Sequence, residues 1–295
     1  MGSVKDKVVF ITGGGRGIGA ETARQLHAKG AKVVVTDLDE TALHDLTSDL
    51  DGDRVLTLVA DVRDLDAMHG AASRAIDRFG GIDVVVANAG IGVFGSVLHV
   101  EPDAFRTLID VNVMGVFNTV RAALPSVLDR RGYVLVVSSL AAYAPVVGSA
   151  AYALSKAGVE NFANTLRLEV AHLGVDVGSA HMSWIDTPLV RESKAEVNGF
   201  SEMIRRLPPP LNRTTSVRKC GDAFVKGIEG RKRRVNCPAW VGVLRWLKPV
   251  LSTRFGESSV RKDVPELLPK VDDGVAELGR SMSARTQALE KKPSP

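Results

Sequence analysis

Cysteine and aromatic residues are scarce in this chain of 295 residues, which has 2 Cys and only 5% Phe, Trp and Tyr. Cys220 and Cys237 provide neither a disulfide framework nor the ligand spacing of a metal site, so we expect a reducing compartment and no metal. The apolar run after Lys7 is short and ends in a glycine cluster, which is not typical of a signal peptide or a membrane span. We therefore expect a cytoplasmic protein.

An excess of charge of one sign is also missing, because the formal net charge is only +4 and the pI is about 9.1. This mild balance does not indicate nucleic-acid binding, although it could help the chain meet an anionic cofactor or a membrane surface. A composition of 45% hydrophobic and 24% charged residues is that of an ordinary globular protein. The length suffices for one large domain or two small ones.

Strand and helix patterns alternate along the first 180 residues. Apolar runs predict strands at residues 8–11, 33–35, 55–59, 84–86, 133–137 and 175–180. Apolar positions at helical spacing predict helices at residues 18–29, 39–50, 64–79, 105–128 and 152–173. Strict alternation favours parallel pairing with right-handed crossovers, so we expect an α/β fold with a doubly wound parallel sheet in three α/β/α layers.

A glycine-rich turn, Thr12 to Gly19, stands between the first strand and the first helix. Its glycines allow the backbone to approach a pyrophosphate, and the helix N-terminus offers unpaired N–H groups and the positive end of its dipole. The pattern predicts a Rossmann-type dinucleotide site, and the alternative is a plain tight turn. The predicted cofactor-binding residues of this turn are Gly13, Arg16, Gly17, Ile18 and Gly19.

Asp37 ends the second predicted strand. A carboxylate there can accept hydrogen bonds from the adenosine ribose hydroxyls and repels a 2′-phosphate, which favours NAD over NADP. The alternative is a helix N-cap, a role that Asp39 could also fill. Arg16 could instead hold a 2′-phosphate, and the NAD prediction assumes that the carboxylate outweighs it.

Tyr152 and Lys156 are four residues apart, so they share one face of the predicted helix. A nearby ammonium favours the phenolate and lowers the tyrosine pKa from about 10, which would make the pair an acid–base catalyst. The alternative is an ordinary pair on a helix surface. Ser138 and Ser139 favour catalysis, because they end the fifth strand at the carboxyl edge where such sheets bind ligands.

Together these motifs resemble the short-chain dehydrogenase/reductase family of the single-domain kind, over roughly residues 5–240. The resemblance extends to Asp61-Val62 after the third strand, to Asn88-Ala89-Gly90 after the fourth, and to Asn112 in the following helix. Ser139 precedes Tyr152 by 13 positions, the usual interval of the family. The resemblance implies an enzyme that moves a hydride between a nicotinamide cofactor and an alcohol or carbonyl.

The resemblance also implies a role for each matching residue. Tyr152 would be the general acid/base, and Ser139 would hydrogen-bond the substrate oxygen. Lys156 would lower the Tyr152 pKa and bind the nicotinamide ribose. Asn112 would hold a water that links Lys156 to solvent, with a buried structural amide as the alternative. Further implied cofactor contacts are Asp61, Val62, Asn88, which would also brace the core, Ile185 and Thr187.

The stretch after the sixth strand departs from the family pattern, because Met182-Ser183 stand where the family has Pro-Gly. Ile185 and Thr187 keep their expected places, and the backbone path near the nicotinamide stays open. The next segment, about residues 186–215, resembles the family's substrate loop. Long loops of this kind often act as lids, and the alternative is a surface insertion without catalytic duty.

The C-terminal region begins with a predicted edge strand at residues 235–238. Residues 239–251 then combine two tryptophans, an apolar face and scattered cations. This segment could contact a membrane surface, roof an apolar pocket, or pack between subunits of the expected homodimer or homotetramer. We expect a single NAD(P)-binding domain over residues 1–260 and a partly flexible extension over residues 261–295, with a weak, fraying helix from Glu266 onward.

Three functions remain open at this point. The first is an NAD-linked dehydrogenase of an apolar secondary alcohol, such as a lipid or steroid. The second is an NADPH-linked carbonyl reductase, against which Asp37 argues. The third is a catalytically silent nucleotide-binding sensor, against which the intact set of Asn112, Ser139, Tyr152 and Lys156 argues.

Overall fold

Seven parallel strands form one sheet at the centre of the molecule, in the order β3-β2-β1-β4-β5-β6-β7. The computed structural model describes residues 2–50 and 52–290. The strands are β1 (Val8–Thr12), β2 (Lys32–Asp37), β3 (Val55–Val59), β4 (Val84–Ala87), β5 (Tyr133–Val137), β6 (Asp176–Met182) and β7 (Arg234–Cys237). The doubly wound α/β fold predicted from the sequence is confirmed, and β3 and β5 have the predicted bounds.

The central strands are buried on both faces because helices cover both sides of the sheet. Every residue of β1, β4 and β5 is buried. Side chains alternate along β1, so Val8 and Phe10 pack into one core cluster while Val9 and Ile11 pack into the other. Continuous apolar runs are therefore the expected sequence pattern of these strands.

The helices of the first 170 residues follow the predicted order. They are α1 (Gly17–Ala28), α2 (Glu40–Ser48), α3 (Leu65–Phe79), α4 (Pro102–Ile109), α5 (Gly115–Asp129) and α6 (Ala150–Val170). The helix predicted at residues 105–128 is observed as α4 and α5, joined through a π-helical turn at Asp110–Met114 that carries Asn112. The span Pro102–Asp129 is long and apolar enough to cross a bilayer, but 61% of its most apolar stretch is buried inside the protein.

Beyond β6 the chain is mostly helical. The helices are α7 (Pro188–Glu196), α8 (Phe200–Arg206), α9 (Val217–Glu229), α10 (Val241–Leu251), α11 (Arg254–Arg261), α12 (Val264–Leu278) and α13 (Ala284–Glu290). The predicted substrate loop thus contains α7 and α8. It is ordered by packing, because Phe200 and Ile204 of α8 are buried against Leu267 and Val271 of α12.

Residues 266–290 differ from the fraying helix that their polar composition predicts, and the last part of that prediction, residues 291–295, lies outside the described residues. Leu267, Val271 and Val275 are spaced four apart and form a buried stripe on α12. Thr286 of α13 is also buried. The segment is therefore packed onto the protein through these residues, while the division into domains at residue 260 stays a prediction.

Candidate active site

Two cavities lie near the carboxyl ends of the strands and meet at Tyr152. The larger, which we name the cleft, has a volume of about 230 Å³. Among the residues predicted to bind cofactor, those that line the cleft are Gly13, Arg16, Gly17, Ile18, Asp37, Asp61, Val62, Asn88, Tyr152, Lys156 and Thr187. Gly19 and Ile185 are buried and do not line it.

The smaller cavity, which we name the apolar cavity, has a volume of about 90 Å³. Its apolar lining consists of Gly92, Phe94, Leu140, Ala141, Val146, Met182, Trp184, Leu189, Val190 and Phe200. The hydroxyl groups that line it belong to Tyr152, Ser139, Ser149, Ser183 and Ser193. None of the described residues around this cavity is charged.

The glycine turn between β1 and α1 is packed too tightly for larger residues. Gly13 has φ +60°, and a Cβ built on it would stand 2.6 Å from the Cα of Ala89. A Cβ on Gly19 would stand 2.7 Å from the carbonyl oxygen of Gly13. Only glycine permits this path, which brings the N-terminus of α1 to the cleft, where its N–H groups can face a phosphate.

Asn88 braces the glycine turn from the end of β4. Its Nδ2 donates to the carbonyl oxygens of Thr12 at 3.0 Å and Gly13 at 2.9 Å. The same side chain lines the cleft. The structure therefore places Asn88 in both positions that the family resemblance implies, against the core and in the cleft wall.

The two carboxylates after β2 have different partners. Asp39 caps α2 by accepting from the Ala42 N–H at 3.0 Å, and it pairs with Arg16 Nε at 3.1 Å. Asp37 accepts from the N–H groups of Gly15 at 2.9 Å and Asp39 at 3.0 Å. Burial raises the pKa of Asp37, although these two bonds act to lower it. The N-cap role thus belongs to Asp39, and Asp37 remains in the cleft beside the glycine turn.

Asp61 and Val62 line the cleft after β3. The guanidinium of Arg63 donates two hydrogen bonds to Oδ2 of the Asp61 carboxylate, from Nε at 2.9 Å and from Nη2 at 2.6 Å. Arg63 also pairs with Glu290 of α13. These contacts raise the pKa of Arg63, with the Asp61 hydrogen bond as the largest cause. Arg63 therefore connects the loop after β3 to the C-terminal segment.

Helix α13 forms one wall of the cleft, which the sequence did not predict. Its cleft-lining residues are Arg285, Thr286, Leu289 and Glu290. The Nε of Arg285 pairs with Glu192 of α7 at 2.9 Å. Before the helix, Arg280 pairs with Glu196 of α7 at 2.8 Å. No glycine turn or strand end marks this wall, so its only sequence signal is the stripe of apolar residues on α12 that docks the segment.

Tyr152, Ser139 and Lys156 converge between β5 and α6. The Ser139 side chain interacts with the Tyr152 hydroxyl and acts to lower its pKa. The Nζ of Lys156 lies 5.6 Å from the centre of the Tyr152 ring and donates to the carbonyl oxygen of Val137 at 3.1 Å. Ser138 donates to the carbonyl oxygen of Lys156 at 2.7 Å, so it packs rather than facing a substrate. Three predicted catalytic side chains are thus brought together at the junction of the two cavities.

Burial controls the protonation of this pair. It raises the pKa of Tyr152, and the Ser139 side chain lowers that pKa by less. Burial also lowers the pKa of Lys156 to about 8. At Tyr152 desolvation therefore outweighs the neighbouring groups, and the lowering of its pKa by Lys156 stays a prediction. At neutral pH the phenol keeps its proton and the lysine is mostly charged.

Asn112 is fully buried, and its side chain is occupied by structural hydrogen bonds. Its Oδ1 accepts from the Ile91 N–H at 2.8 Å. Its Nδ2 donates to the Ile91 carbonyl oxygen at 3.1 Å and to Ser155 Oγ at 3.1 Å. The buried-amide alternative therefore describes this side chain, and any role in holding a water would have to use the backbone of Asn112.

The stretch that departs from the family pattern keeps a regular path. Strand β6 extends through Met182, which pairs with Cys237 of β7, and Ser183 donates its N–H to the Cys237 carbonyl oxygen at 2.9 Å. Met182 lines both cavities. Ile185 is buried in the core, and Thr187 caps α7 at the edge of the cleft.

Known proteins resemble this chain in sequence and in fold. The family model described as short chain dehydrogenase matches residues 7–198. The probable oxidoreductase EphD of Mycobacterium tuberculosis is 36% identical over 237 residues, which cover 77% of this chain. The chain spans 40% of the length of that curated relative. The trans-4-hydroxycyclohexanecarboxylate dehydrogenase of Sinomonas cyclohexanicum is 32% identical over 230 residues, which cover 75% of this chain and 85% of the relative.

Among solved structures, the 3-ketoacyl-(acyl-carrier-protein) reductase from Brucella melitensis, complexed with NADH, is 25% identical to this chain. It matches with a TM-score of 0.71 and covers 79% of this chain and 97% of its own. A short-chain dehydrogenase/reductase from Burkholderia phymatum is 23% identical and has a TM-score of 0.73, over 83% of this chain and 94% of its own. The second similarity supports the fold alone.

Proposed function

This chain belongs to the short-chain dehydrogenase family, and we propose that it is an NAD-linked dehydrogenase of small, neutral, apolar secondary alcohols. The observation that carries the proposal is the position of Tyr152, whose side chain lines both the cleft and the apolar cavity. Ser139 lines the apolar cavity and interacts with the Tyr152 hydroxyl. An alcohol in the apolar cavity would therefore place its oxygen at an acid–base group and its carbon toward the cleft.

The residues of the cleft fit a nicotinamide adenine dinucleotide. The glycine turn has no space for a Cβ at Gly13 or Gly19 and presents the N-terminus of α1 to a pyrophosphate. Asp37 would accept hydrogen bonds from the adenosine ribose, and Lys156 would hold the nicotinamide ribose at the other end. The chemistry that bound NAD supplies is acceptance of a hydride from the alcohol carbon.

Tyr152 would handle the hydroxyl proton. In oxidation its phenolate oxygen takes that proton as the hydride leaves carbon and the ketone forms; in reduction the phenol returns it to the carbonyl oxygen. Because burial raises the Tyr152 pKa, the phenol holds its proton at neutral pH and is ready for reduction. For oxidation it must first lose that proton, which the Lys156 ammonium, 5.6 Å from the ring centre, and the Ser139 side chain both favour.

The apolar cavity supports a small neutral substrate. Phe200 meets Phe94 and Trp184 edge-to-face, with ring centres 5.1 Å and 5.6 Å apart. A carboxylate would be buried without a counter-ion, because none of the described lining residues is charged. A volume of about 90 Å³ is below the roughly 150 Å³ of a cavity that binds benzene. This size favours a short alkyl chain over a four-ring steroid, and a single ring would have to extend from this cavity toward the cleft, which meets it at Tyr152.

A substrate screen would test this part of the proposal. The Sinomonas relative is named for a hydroxylated cyclohexane that carries a carboxylate, so its ring is of suitable size but its charge is not. We expect NADH production with cyclohexanol to exceed that with trans-4-hydroxycyclohexanecarboxylate at equal concentrations. The opposite ranking would contradict a neutral substrate. Assembly as a homodimer or homotetramer and a cytoplasmic location stay predictions.

Cofactor choice is proposed from the separate positions of Asp37 and Arg16. Arg16 is already paired with Asp39, whereas Asp37 lies in the cleft. We expect calorimetric titration of the wild type to give NAD at least about tenfold tighter binding than NADP, roughly 1.4 kcal/mol. Asp37→Ser should remove most of that preference. In Asp39→Ser the serine can still cap α2, while Arg16 loses its partner. This variant should keep the preference if Asp37 is the selector, and a shift toward NADP would show that the pairing of Arg16 contributes to it.

Each other outcome of the titration points to a different function. Equal or tighter binding of NADP by the wild type would replace the proposal with NADPH-linked carbonyl reduction. Binding of NAD without turnover of any alcohol or ketone would favour a silent nucleotide-binding sensor. Binding of neither nucleotide would overturn the assignment of the cleft.

A further inference from the structure

Helix α10 has two apolar faces, and only one of them is packed against the protein. Val241 and Leu244 face inward, onto a cluster that includes Leu140 and Tyr143. On the other side, four apolar residues at helical spacing are solvent-exposed: Val243, Trp246, Leu247 and Val250. The Trp246 side chain is 76% exposed. A single exposed apolar residue is ordinary, but a row of four along one helix face indicates an interaction site.

Helix α11 continues this exposed surface. It contacts α10 and adds Phe255, which is 83% exposed. We name Val243, Trp246, Leu247, Val250 and Phe255, with the cations Arg245, Lys248 and Arg254 between them, the α10–α11 surface. The guanidinium of Arg245 lies over the Trp246 ring, 5.0 Å from its centre. Aromatic rings and cations are thus interleaved on one face.

Positive charge is concentrated in the same segment. Residues 241–262 contain five Lys and Arg residues and one acidic residue, Glu257, so their net charge is +4, equal to that of the whole chain. More cations lie beside it. Burial is the largest cause that lowers the pKa of Arg167, and repulsion from Arg234, Arg233 and Arg245 lowers that pKa further. Arg234 has a carboxylate partner, Glu160, at 3.5 Å. The surroundings of the α10–α11 surface are therefore strongly basic.

We propose that the α10–α11 surface docks onto an anionic phospholipid bilayer. Trp246 and Phe255 would enter the boundary between headgroups and acyl chains, while the lysine and arginine side chains reach the phosphates. A second copy of this chain fits the surface poorly. In a two-fold interface the same patch meets itself, which would bring two segments of net charge +4 together.

The docking surface lies close to the proposed substrate cavity. The turn Leu140–Ala142 packs beneath Val241 of α10, and its residues Leu140 and Ala141 line the apolar cavity. A bilayer at this surface would be separated from the cavity by α10 and the Leu140–Ala142 turn. The docking proposal itself stands on the exposed residues and the charge, and it does not depend on the proposed activity.

The test is co-sedimentation of the full chain with vesicles of phosphatidylcholine alone or mixed with phosphatidylglycerol. We expect binding to the anionic vesicles only, weakening as salt is added. Trp246→Ser/Phe255→Ser should lower the partition coefficient at least about tenfold, and Arg245→Gln/Lys248→Gln by a similar factor with a flatter salt dependence. The control Val97→Ser/Leu98→Ser changes residues that are 77% and 90% exposed in the loop after β4, and it should not alter binding.

Three results would overturn the proposal. Wild-type protein that does not sediment with anionic vesicles would do so directly. Loss of binding in the control variant would show that vesicles bind elsewhere. A smaller sedimentation mass of Trp246→Ser/Phe255→Ser without lipid would assign the surface to contact between copies. An unchanged melting temperature in each variant would exclude misfolding as the cause of these results. Unchanged NAD binding would show that they do not depend on the proposed dehydrogenase activity.

Discussion

Two parts of the cleft are built in different ways. One is the part at the carboxyl ends of the strands, which we name the floor, and the other is the α13 wall. Polar residues of the floor stand at the ends of neighbouring strands: Asp37 ends β2, Asp61 follows β3, and Asn88 follows β4. The register of the parallel sheet brings them together, because the carboxyl ends of its strands share one edge. The α13 wall is instead attached by ion pairs, Arg285 to Glu192 and Arg63 to Glu290.

This difference has an energetic meaning. Residues at strand ends are positioned by buried backbone hydrogen bonds that cannot break singly without disturbing the sheet. Ion pairs between partly exposed side chains contribute only about 0–1 kcal/mol each. Breaking the ion pairs of the α13 wall should therefore cost less free energy than disturbing the floor, while the buried residues Leu267 and Val271 of α12 still hold the segment on the protein. Changes in the two regions should affect different measurements.

Removal of the proposed acid–base group, Tyr152 of α6 beside the floor, should have the largest effect. We expect Tyr152→Phe to lower kcat by a factor of about 10²–10⁴, because it removes the phenol proposed to exchange the substrate proton. The NAD dissociation constant should stay within about twofold of the wild-type value. Tyr143→Phe is the matched control, since Tyr143 lines neither cavity and stacks on His181 with ring centres 4.4 Å apart. Full turnover by Tyr152→Phe would refute the catalytic assignment.

A second prediction concerns the stability contributed by Lys156, on α6 beside the floor. Lys156 is 3% exposed, and burial lowers its pKa from 10.5 to about 8. Below about pH 8 the native and unfolded states both carry the proton, so the native state bears the full desolvation penalty of the ammonium. Between about pH 8 and 10.5 the unfolded state binds more protons, so this contribution to the free energy of unfolding rises with pH.

We therefore expect Lys156→Met to raise the free energy of unfolding at pH 7 by about 1–3 kcal/mol while abolishing turnover. It should also flatten the rise in stability between about pH 8 and 10.5. Urea unfolding at pH values on both sides of this window measures both effects, with Lys226→Met, an exposed lysine on α9, as the control. A variant less stable than the wild type at neutral pH would show that the ammonium is better solvated than its burial indicates.

The smallest effect is expected at the α13 wall. Arg285→Ala should raise the NAD dissociation constant about three- to tenfold, because it removes a cation from the cleft and the pairing of α13 with α7. Arg280→Ala is the matched control, since it breaks a similar pair with Glu196 but does not line the cleft. An equal rise of the NAD dissociation constant in Arg285→Ala and Arg280→Ala would mean that these ion pairs affect NAD binding only by holding the C-terminal segment in place. No effect of Arg285→Ala would remove α13 from the cofactor site.

The sheet and floor could be predicted from sequence because their signals are local. A run of β-branched residues predicts a buried strand, and the residue after it then has a known place at the sheet edge, as for Asp37 and Asn88. The α13 wall could not be predicted in this way. Its position depends on Leu267 and Val271 packing against α8, residues that are distant in sequence and lie in a polar segment. Burial of the Tyr152 hydroxyl could not be predicted either, because it depends on the whole surroundings.

The side chain of Asn112 makes the catalytic centre part of one cooperative folding unit. Its three buried hydrogen bonds join the π-helical turn to Ile91 in the loop after β4 and to Ser155, the neighbour of Lys156. Local opening of α6 at Lys156 would separate Ser155 from the Asn112 amide in a region closed to water, which costs free energy. We therefore expect the residues around Tyr152 to open at a higher free energy than the α13 wall.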